Sequence, residues 1–459
     1  MPSYDAIIIG TGQAGSPLAA RLAGAGRKVA VIERNLFGGT CVNTGCTPTK
    51  TLVASAKAAQ MARRAADFGV VLDGPVRIDM KRVKARADAV SGASRDGIGK
   101  MLEGLENCTV YRGHARFLDA KRVQVGDAVL SAEQIFINVG GRAVLPDIPG
   151  LNEVPHLTNS TILDLDTVPE HLIVLGGSYV GLEFAQIYRR FGSRVTVFEP
   201  GPRLVRREDE DVSRAVAEIL EAEGIEVVTS AANLSFSPAK GSSGVVLRHD
   251  GPDGQRTVAG SHLLVATGRR PNTDDLDADK AGIALDARGY IVVDDALRTN
   301  VEGVFAMGDC NGRGAFTHTA YNDFEIVAAN LLDDDPRRVS DRIPVYALYI
   351  DPPLGRVGLT EAEAKKTGKN VLVSTRPMSR VSRAIEKGET QGFMKIVADA
   401  DSGEILGAAL LGTGCDEAVH SLIDVMYARR PFEKVRRGVH IHPTVSELLP
   451  TMMADFHPA

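Results

Sequence analysis

Cysteine is scarce in this sequence, with five residues in a chain of 459. So few cysteines in so long a chain do not form a structural disulfide framework, and two of them close together are more typical of catalysis or metal binding. No Cys-His cluster has the spacing of a zinc site. We therefore expect neither a disulfide scaffold nor a metal site.

Long apolar runs and a large charge of one sign are also missing. No stretch approaches the roughly 20 apolar residues that a membrane-spanning helix needs. The net charge is −5, with acidic and basic residues mixed along the chain, so nothing indicates nucleic acid or an anionic membrane as a partner. The first residues, MPSYDAIIIG, lead directly into a strand and show no secretion signal. We expect a cytoplasmic protein.

Glycine, in contrast, is abundant, with 47 residues, as is typical of proteins with several nucleotide-binding turns. Residues 5–9 (DAIII) predict a buried strand, and Gly10, Gly12 and Gly15 follow it in a GxGxxG turn that opens a helical stretch. A second strand ends at Glu33. The glycines allow the tight turn, the approach of a pyrophosphate and close helix packing, and the acidic residue binds a ribose hydroxyl. This is a full dinucleotide fingerprint.

The fingerprint recurs at an offset of 166 residues, with Gly176, Ser178 and Gly181 after a strand-like run and Glu199 at the end of the next strand. Ser178 occupies the middle position, where glycine lets the backbone approach the pyrophosphate. The serine side chain is small, so we expect it to weaken binding of the nicotinamide coenzyme without abolishing it. Two complete units, each with its acidic residue in register, predict two dinucleotide sites.

Cys41 and Cys46 lie in the run GGTCVNTGCTPTK, directly after the first fingerprint. Five residues apart on a regular helix, their Cα atoms would be roughly 8 Å apart, whereas a disulfide needs about 4.4–6.8 Å. The chain must therefore leave regular helix between them, which Gly45 permits. Pro48 suits a first helical position, so a regular helix is predicted to start there. Cys46 would then lie at the positive helix end, which lowers a thiol pKa.

Further segments follow from periodicity. Residues 50–105 predict helix, 108–138 alternate like a small antiparallel sheet, and 225–265 predict strands. A helix is predicted from about Thr319 to Leu332. From about residue 342 the composition changes to that of a separate α+β domain, with strand-like runs at 343–350, 392–398 and 404–411 and helical stretches at 360–367 and 415–429.

Together these motifs resemble those of the class I flavoprotein disulfide reductases, the family of dihydrolipoamide dehydrogenase, glutathione reductase and mercuric reductase. The resemblance covers nearly the whole chain in the family's order and rests on GTGQAG with Glu33, the CxxxxC pair, Lys50, GGSYVGLE, ATGRRPN, AMGD and HIHPTVSE. Within this family, the motif sequences most resemble those of mercuric-reductase-like and dihydrolipoamide dehydrogenase-like proteins.

The resemblance implies an α/β fold with two Rossmann-like dinucleotide-binding domains, for FAD and for NAD(P), and a C-terminal α+β dimerisation domain. The implied boundaries are 1–150 for the FAD domain with the cysteine pair, 151–274 for the NAD(P) domain, 275–341 for a central domain that completes the FAD site, and 342–459 for the interface domain.

The family's residue roles transfer position by position. The FAD site would comprise Gly10, Gly12, Gly15, Glu33, Gly39, Thr40, Lys50, Gly140, Asp309 and Ala320. The nicotinamide coenzyme would bind Gly176, Ser178, Gly181, Glu199 and Gly268. Lys50 would lie near flavin N5 and pair with Glu183, where hydride crosses between the two sites.

The implied mechanism is ping-pong. Two electrons would move from NAD(P)H through FAD to a Cys41–Cys46 disulfide, with Cys46 as the charge-transfer thiolate and Cys41 as the thiol that attacks substrate. A leaving thiolate needs a positioned acid, and His442 with Glu447 matches the family's acid–base pair; His440 is the nearest rival. In this family the pair comes from the partner subunit, so a homodimer with shared sites is implied.

The coenzyme and the substrate are less constrained. Glu199 favours NADH, although Arg203, Arg206 and Arg207 could accept the extra phosphate of NADPH. A small disulfide ranks first as substrate, ahead of a soft metal ion, because the chain ends TMMADFHPA without the C-terminal cysteine pair of mercuric reductases. By alignment, Ala20 replaces the first-helix arginine of glutathione reductases. A flavin-binding sensor, or an oxidase of quinones or oxygen, is a weaker alternative.

Overall fold

The computed structural model describes residues 1–240, 244–251 and 254–459. The N-terminal part contains a sheet with helices packed against it, and the central strands of this sheet are apolar and largely buried on both faces. The strands are β1 (Ser3–Ile9), β2 (Val29–Glu33), β3 (Cys108–Arg112), β4 (Ala115–Phe117), β5 (Arg122–Val125) and β6 (Ala128–Ile137). The helices are α1 (Gly15–Gly24), α2 (Gly39–Thr44), α3 (Cys46–Arg63) and α4 (Met80–Glu103).

The small antiparallel sheet predicted over residues 108–138 is confirmed for β4, β5 and the start of β6, whereas β3 pairs parallel with a strand outside this range. The whole N-terminal sheet has seven strands in the order β3-β2-β1-β6-β5-β4, with the strand Val304–Ala306 also beside β6. β3 runs parallel to β2, and the long β6 pairs along one edge with β1. Its other edge pairs with β5 at residues 128–131 and with Val304–Ala306 at residues 135–137. The antiparallel strands β4 and β5 are therefore an extension of the parallel sheet, because β6 belongs to both.

The second fingerprint forms a smaller sheet of the same kind, with parallel order β10-β9-β8-β14. An antiparallel β11-β12-β13 sheet and a β7-β15 ribbon accompany it. Of the residues predicted as strands over 225–265, positions 241–243 and 252–253 lie outside the described part of the chain. The elements are β7 (Gly141–Ala143), β8 (His171–Leu175), α5 (Tyr179–Phe191), β9 (Arg194–Phe198), α6 (Glu210–Ala222), β10 (Glu226–Val228), β11 (Ala232–Pro238), β12 (Val245–Gly251), β13 (Gly254–Gly260), β14 (His262–Val265) and β15 (Arg269–Pro271).

After β16 (Val304–Ala306), helix α7 (Thr317–Leu332) begins two residues before its predicted start. The C-terminal part is an antiparallel sheet in the order β17-β18-β21-β20-β19-β22 with short helices around it. Its elements are β17 (Val345–Leu348), β18 (Leu354–Gly358), α8 (Glu361–Lys365), β19 (Val371–Pro377), α9 (Ser382–Glu386), β20 (Phe393–Asp399), β21 (Ile405–Leu411), α10 (Cys415–Ala418), α11 (His420–Tyr427), α12 (Phe432–Arg436), α13 (Leu449–Met452) and β22 (His457–Pro458). The predicted class of two α/β units and an α+β unit is confirmed.

Buried ion pairs join the C-terminal sheet to the second α/β unit. Lys395 on β20 has only 1% of its side chain exposed and lies 2.9 Å from carboxylates of both Asp209 and Asp211. An unpaired buried ammonium is costly, so these contacts fix the two parts against each other. Among the described residues, no helix is long and apolar enough to cross a membrane.

Candidate active site

The two cysteines lie on either side of a break between two helices. Cys41 is in α2 and Cys46 is the first residue of α3, and the helix is interrupted at Gly45, as predicted. A Cβ atom at Gly45 would lie 2.8 Å from the carbonyl oxygen of Thr40, closer than real Cβ contacts. Both thiols are free and line one large cavity. Glycine at position 45 is therefore what allows the two sulfur atoms to face each other.

The predicted helix start at Pro48 is wrong, because α3 begins two residues earlier, at Cys46. Pro48 is thus the third residue of the first turn. Proline is tolerated there because the N–H groups of a first turn have no partner within the helix. Because α3 starts at Cys46, this cysteine itself lies at the positive end of an 18-residue helix.

The surroundings of Cys46 favour a thiolate. A hydrogen bond from the Cys41 thiol is the largest cause that lowers the pKa of Cys46 to about 6, and the Thr317 hydroxyl and the Lys50 ammonium lower it further, against burial and the Glu183 carboxylate. The Thr317 Oγ1 atom lies 3.2 Å from the Cys46 sulfur. The hydrogen bond to Cys46, together with burial, raises the pKa of Cys41. Near neutral pH these surroundings favour one negative charge on the reduced pair, located on Cys46.

This arrangement predicts the alkylation behaviour of the reduced enzyme. Only a thiolate reacts, so labelling of Cys46 by iodoacetamide should be half-maximal near pH 6 and fall about tenfold per pH unit below that value. Mass spectrometry of the tryptic peptide 35–50, with fragmentation to separate the two cysteines, measures it. Cys108 is the matched control, since burial raises its pKa and its labelling should need alkaline pH. Identical pH profiles for Cys46 and Cys108 would contradict the assignment.

Lys50 and Glu183 join the two nucleotide-binding units. Lys50 on α3 donates to Glu183 on α5, with 2.6 Å between Nζ and Oε2. The Glu183 side chain is 4% exposed, and its other oxygen accepts from the backbone N–H of Tyr349 at 3.0 Å. The predicted pairing is present, and the cavity wall that contains it also contains Cys46.

The first fingerprint turn has the geometry that its sequence requires. Gly10 has φ +101°, and a Cβ there would lie 2.3 Å from the Asn138 carbonyl oxygen. A Cβ at Gly15 would lie 2.1 Å from the Gly10 carbonyl oxygen, so helix α1 packs directly on the turn. Glu33, at the carboxyl end of β2, accepts from Thr11 N–H at 3.0 Å and from its hydroxyl at 2.6 Å. The turn and the acidic residue therefore form one unit.

The second fingerprint repeats this construction. Gly176 has φ +120°, and a Cβ at Gly181 would lie 2.1 Å from the Gly176 carbonyl oxygen. Glu199 accepts from the N–H groups of Gly177 at 2.8 Å and Gly201 at 2.7 Å. Ser178 is exposed, with an extended backbone that any residue can adopt. A serine at this position therefore causes no backbone strain.

One cavity of about 1570 Å³ is lined by both fingerprint turns, both cysteines and the Lys50–Glu183 pair. The predicted site residues on its wall are Gly10, Gly12, Glu33, Gly39, Thr40, Cys41, Cys46, Lys50, Gly140, Gly176, Ser178, Glu183, Glu199, Gly268, Asp309 and Ala320. Gly15 and Gly181 lie behind the wall and shape the two turns. The cavity exceeds the roughly 300–1,000 Å³ of a single small-molecule site, as two dinucleotides require.

His442 and Glu447 form a pair away from this cavity. The Nδ1 atom of His442 lies 2.8 Å from Oε2 of Glu447, and the imidazole is 74% exposed. Neither residue is among the described residues that line the cavity. Within one chain, the predicted acid–base pair is therefore formed but does not face the thiols.

Several contacts were missed by the sequence reasoning. Asn138 accepts from Gly15 N–H at 3.0 Å and donates to the Met307 carbonyl at 2.9 Å, which connects the turn to the AMGD segment. Arg269 lies 3.7 Å from the Asp309 carboxylate, whose pKa is raised by burial. Asn138 lies in no motif, and the ATGRRPN motif that contains Arg269 does not identify its partner, because each contact joins segments far apart in the chain.

The other cysteines and the two C-terminal methionines lie mostly in packed parts of the structure. Cys310 and Cys415 are buried like small apolar side chains, whereas Cys108 is only half-buried. Met452 and Met453 are fully buried in the C-terminal core, which agrees with a packing role.

Comparisons with known proteins agree with this geometry. Residues 4–323 match the pyridine nucleotide-disulphide oxidoreductase family, and residues 345–453 match its dimerisation domain. The chain is 36% identical to the probable pyridine nucleotide-disulfide oxidoreductase RclA of Escherichia coli strain K12 over 457 residues, 98% of each chain. It is 33% identical to a mercuric reductase of Streptomyces lividans, covering 97% of this chain and 94% of the relative. It is 32% identical to a dihydrolipoyl dehydrogenase of Thermus scotoductus, covering 97% and 96%.

Solved structures show the same likeness. The HOCl-induced flavoprotein disulfide reductase RclA from Escherichia coli superposes with a TM-score of 0.89 at 34% identity, over 98% of this chain and 99% of that one. A Cu(II) complex of that protein superposes with a TM-score of 0.88. The chain therefore belongs to the class I pyridine nucleotide-disulfide oxidoreductases, a family of FAD-dependent enzymes, and carries their dimerisation domain.

Proposed function

We propose that this enzyme uses NADH to reduce a small disulfide through Cys41 and Cys46. The observation that carries the proposal is the thiolate-favouring environment of Cys46, in the wall of the cavity that both fingerprint turns also line. A sensor or binding module would have no use for an activated thiol at that position.

The residues of the first unit fit FAD. The Gly10 turn and the carboxylate of Glu33 face the cavity at the carboxyl end of the parallel sheet, where such folds bind dinucleotides. Gly39 and Gly140 keep the wall free of side chains, and the N-terminal residues of α7 border the same space. When bound, FAD supplies the two-electron carrier between a nicotinamide hydride and a thiol pair.

The second unit supports NADH as the coenzyme. Glu199 is held by two backbone N–H groups, so its carboxylate is fixed where it can accept from ribose hydroxyls and repel a 2′-phosphate. Arg203 donates to the backbone carbonyls of Arg206 and Glu208, which turns it toward its own loop. Arg206, 3.8 Å from Glu199, and Arg207 both line the cavity and are the arginines that can compete for the 2′-phosphate of NADPH.

Each of the two thiols has a separate role in the thiol–disulfide exchange. The Cys41 thiol gives up its proton as its sulfur attacks one sulfur of the substrate disulfide, and the first substrate thiolate leaves and takes up a proton. The Cys46 thiolate then attacks the Cys41 sulfur of the mixed disulfide, which releases the second substrate thiolate and forms the Cys41–Cys46 disulfide. Its low pKa keeps Cys46 ready for this step near neutral pH.

His442 of a second copy of the chain accepts the proton of the Cys41 thiol during this attack and then gives it to the leaving thiolate. Glu447 bonds the Nδ1 atom, which orients the ring and leaves Nε2 to exchange the proton. The exposed imidazole and the matched dimerisation domain support a homodimer whose sites are shared between subunits.

Reduction of Cu(II) or another soft metal ion at the same thiols is the second candidate. A similar Escherichia coli protein has been solved as a Cu(II) complex, and Cys46 is exposed to the cavity in this chain. Thiolates are preferred ligands of soft metals.

A substrate panel tests the proposal. The purified yellow protein should oxidise NADH faster than NADPH and turn over with a small disulfide such as lipoamide or glutathione disulfide. Turnover with Cu²⁺ or Hg²⁺ and with neither disulfide would favour the metal-reducing candidate. NADH oxidation that is independent of every disulfide and metal would overturn both.

A further inference from the structure

Tyr349 is a cavity residue that the exchange chemistry above does not use. It follows strand β17, and its ring faces Lys50, with 4.8 Å between Nζ and the ring centroid. Its backbone N–H donates to the carboxylate oxygen of Glu183 that Lys50 leaves free. One residue thus contacts both members of the Lys50–Glu183 pair, through its ring and through its backbone.

The turn that carries Tyr349 is anchored to helix α5. The N–H of Asp351 donates to Gln186 at 2.7 Å, and the Gln186 amide donates back to the Asp351 carbonyl at 2.9 Å. Arg190, only 5% exposed, bonds the Asp351 carboxylate at 2.7 Å. Glu183, Gln186 and Arg190 lie on the same helix, so the backbone of Tyr349 is fixed relative to the carboxylate that holds Lys50.

Lys50 needs such a restraint. Its side chain is 33% exposed and has four rotatable bonds, so a single ion pair with Glu183 leaves it free to swing into the cavity. A cation within about 6 Å of a ring face is attracted by the ring's quadrupole. The ring and the carboxylate together leave the ammonium one preferred position.

We propose that Tyr349 is a positioning residue, whose ring face holds the Lys50 ammonium where it stabilises the Cys46 thiolate. This inference rests on the proposed role of Cys46. The groups that act on Cys46 are Cys41, Thr317, Lys50 and Glu183. Those that act on Tyr349 are Asp416, Glu183, Cys46 and Glu417, and burial with these negative groups raises the pKa of Tyr349, so the ring stays a neutral phenol.

The test compares Tyr349→Leu, which removes the ring, with Tyr349→Phe, which keeps it. The readout is the pH profile of Cys46 alkylation in the FAD-loaded enzyme with reduced thiols. Tyr349→Leu should lower the labelling rate below pH 6 roughly two- to fivefold, because an ammonium released from its position stabilises the Cys46 thiolate less, and Tyr349→Phe should match the wild type. Bound flavin and thermal unfolding check that both variants are folded.

A double-mutant cycle with Lys50→Met separates positioning from a general structural effect. In the Lys50→Met background, Tyr349→Leu should change nothing further. An unchanged profile in Tyr349→Leu, an equal loss in Tyr349→Phe, or a persistent effect without Lys50 would each overturn the inference. A wild-type Cys46 with an ordinary thiol pKa would instead overturn the proposed role of Cys46 itself.

Discussion

Replacing Cys46 with serine is expected to lower NADH-dependent disulfide reduction at least ~10³-fold. A serine hydroxyl cannot form the Cys41–Cys46 disulfide, so the enzyme loses its only two-electron link to the substrate in the proposed path. Its hydroxyl also remains protonated where the Cys46 thiol, with a pKa lowered to about 6, is ionised. Steady-state NADH consumption with saturating disulfide measures the loss.

The matched control is Cys108→Ser, because Cys108 is also a free cysteine but lies on the edge strand β3. It should keep wild-type turnover. The Cys46→Ser protein should still bind flavin and still be reduced by NADH, since neither fingerprint turn contacts the substituted atom. Undiminished disulfide turnover in Cys46→Ser would mean that electrons reach the substrate without the thiol pair.

The nucleotide turns could be predicted from the sequence because their contacts are local. Thr11 and Glu33 are 22 residues apart, and a strand, a tight turn and a helix of ordinary length bring them together. Gly45 was predictable for the same reason, since the break depends on geometry within six residues. Such contacts follow from the backbone rules of one supersecondary unit.

Contacts between segments that are distant in the chain could not be predicted from the sequence in the same way. The hydrogen bond between Tyr349 and Glu183 spans 166 residues, and nothing in YALYIDPP marks the tyrosine. The Lys50–Glu183 pair spans 133 residues and was predicted only through resemblance of both motifs to a known family. Alternation over 108–138 indicated strands, yet it does not encode whether β3 pairs parallel or antiparallel, because the same residue pattern buries one face in either case.

Replacing His442 with glutamine should slow disulfide reduction by ~10²–10³-fold, the usual contribution of a positioned acid–base group. Glutamine keeps a polar side chain of similar size but cannot transfer a proton to the leaving thiolate. Reduction of the yellow enzyme by NADH should remain near the wild-type rate, because that half-reaction needs no acid at the thiols. Stopped-flow mixing with NADH alone, and then with substrate, separates the two. Equal loss in both half-reactions would contradict the assignment.

His440→Gln is the control for His442→Gln. His440 is only two residues away, but its Nδ1 atom bonds the Ser446 carbonyl at 2.8 Å, which ties it to its own loop. We expect its loss to affect stability more than turnover. A larger catalytic defect in His440→Gln than in His442→Gln would transfer the acid–base role to His440.

Mixed dimers then decide which subunit supplies His442. A dimer of one Cys46→Ser chain and one His442→Gln chain, purified through two different affinity tags, has one site with both groups intact only if the imidazole acts on the partner's thiols. Such a heterodimer should recover about half of wild-type turnover, whereas each parent homodimer stays inactive. If His442 acted within its own chain, both sites of the heterodimer would lack one group and no activity would return. Since His442 is 74% exposed and is not among the described residues that line the thiol cavity of its own chain, recovery is the expected result.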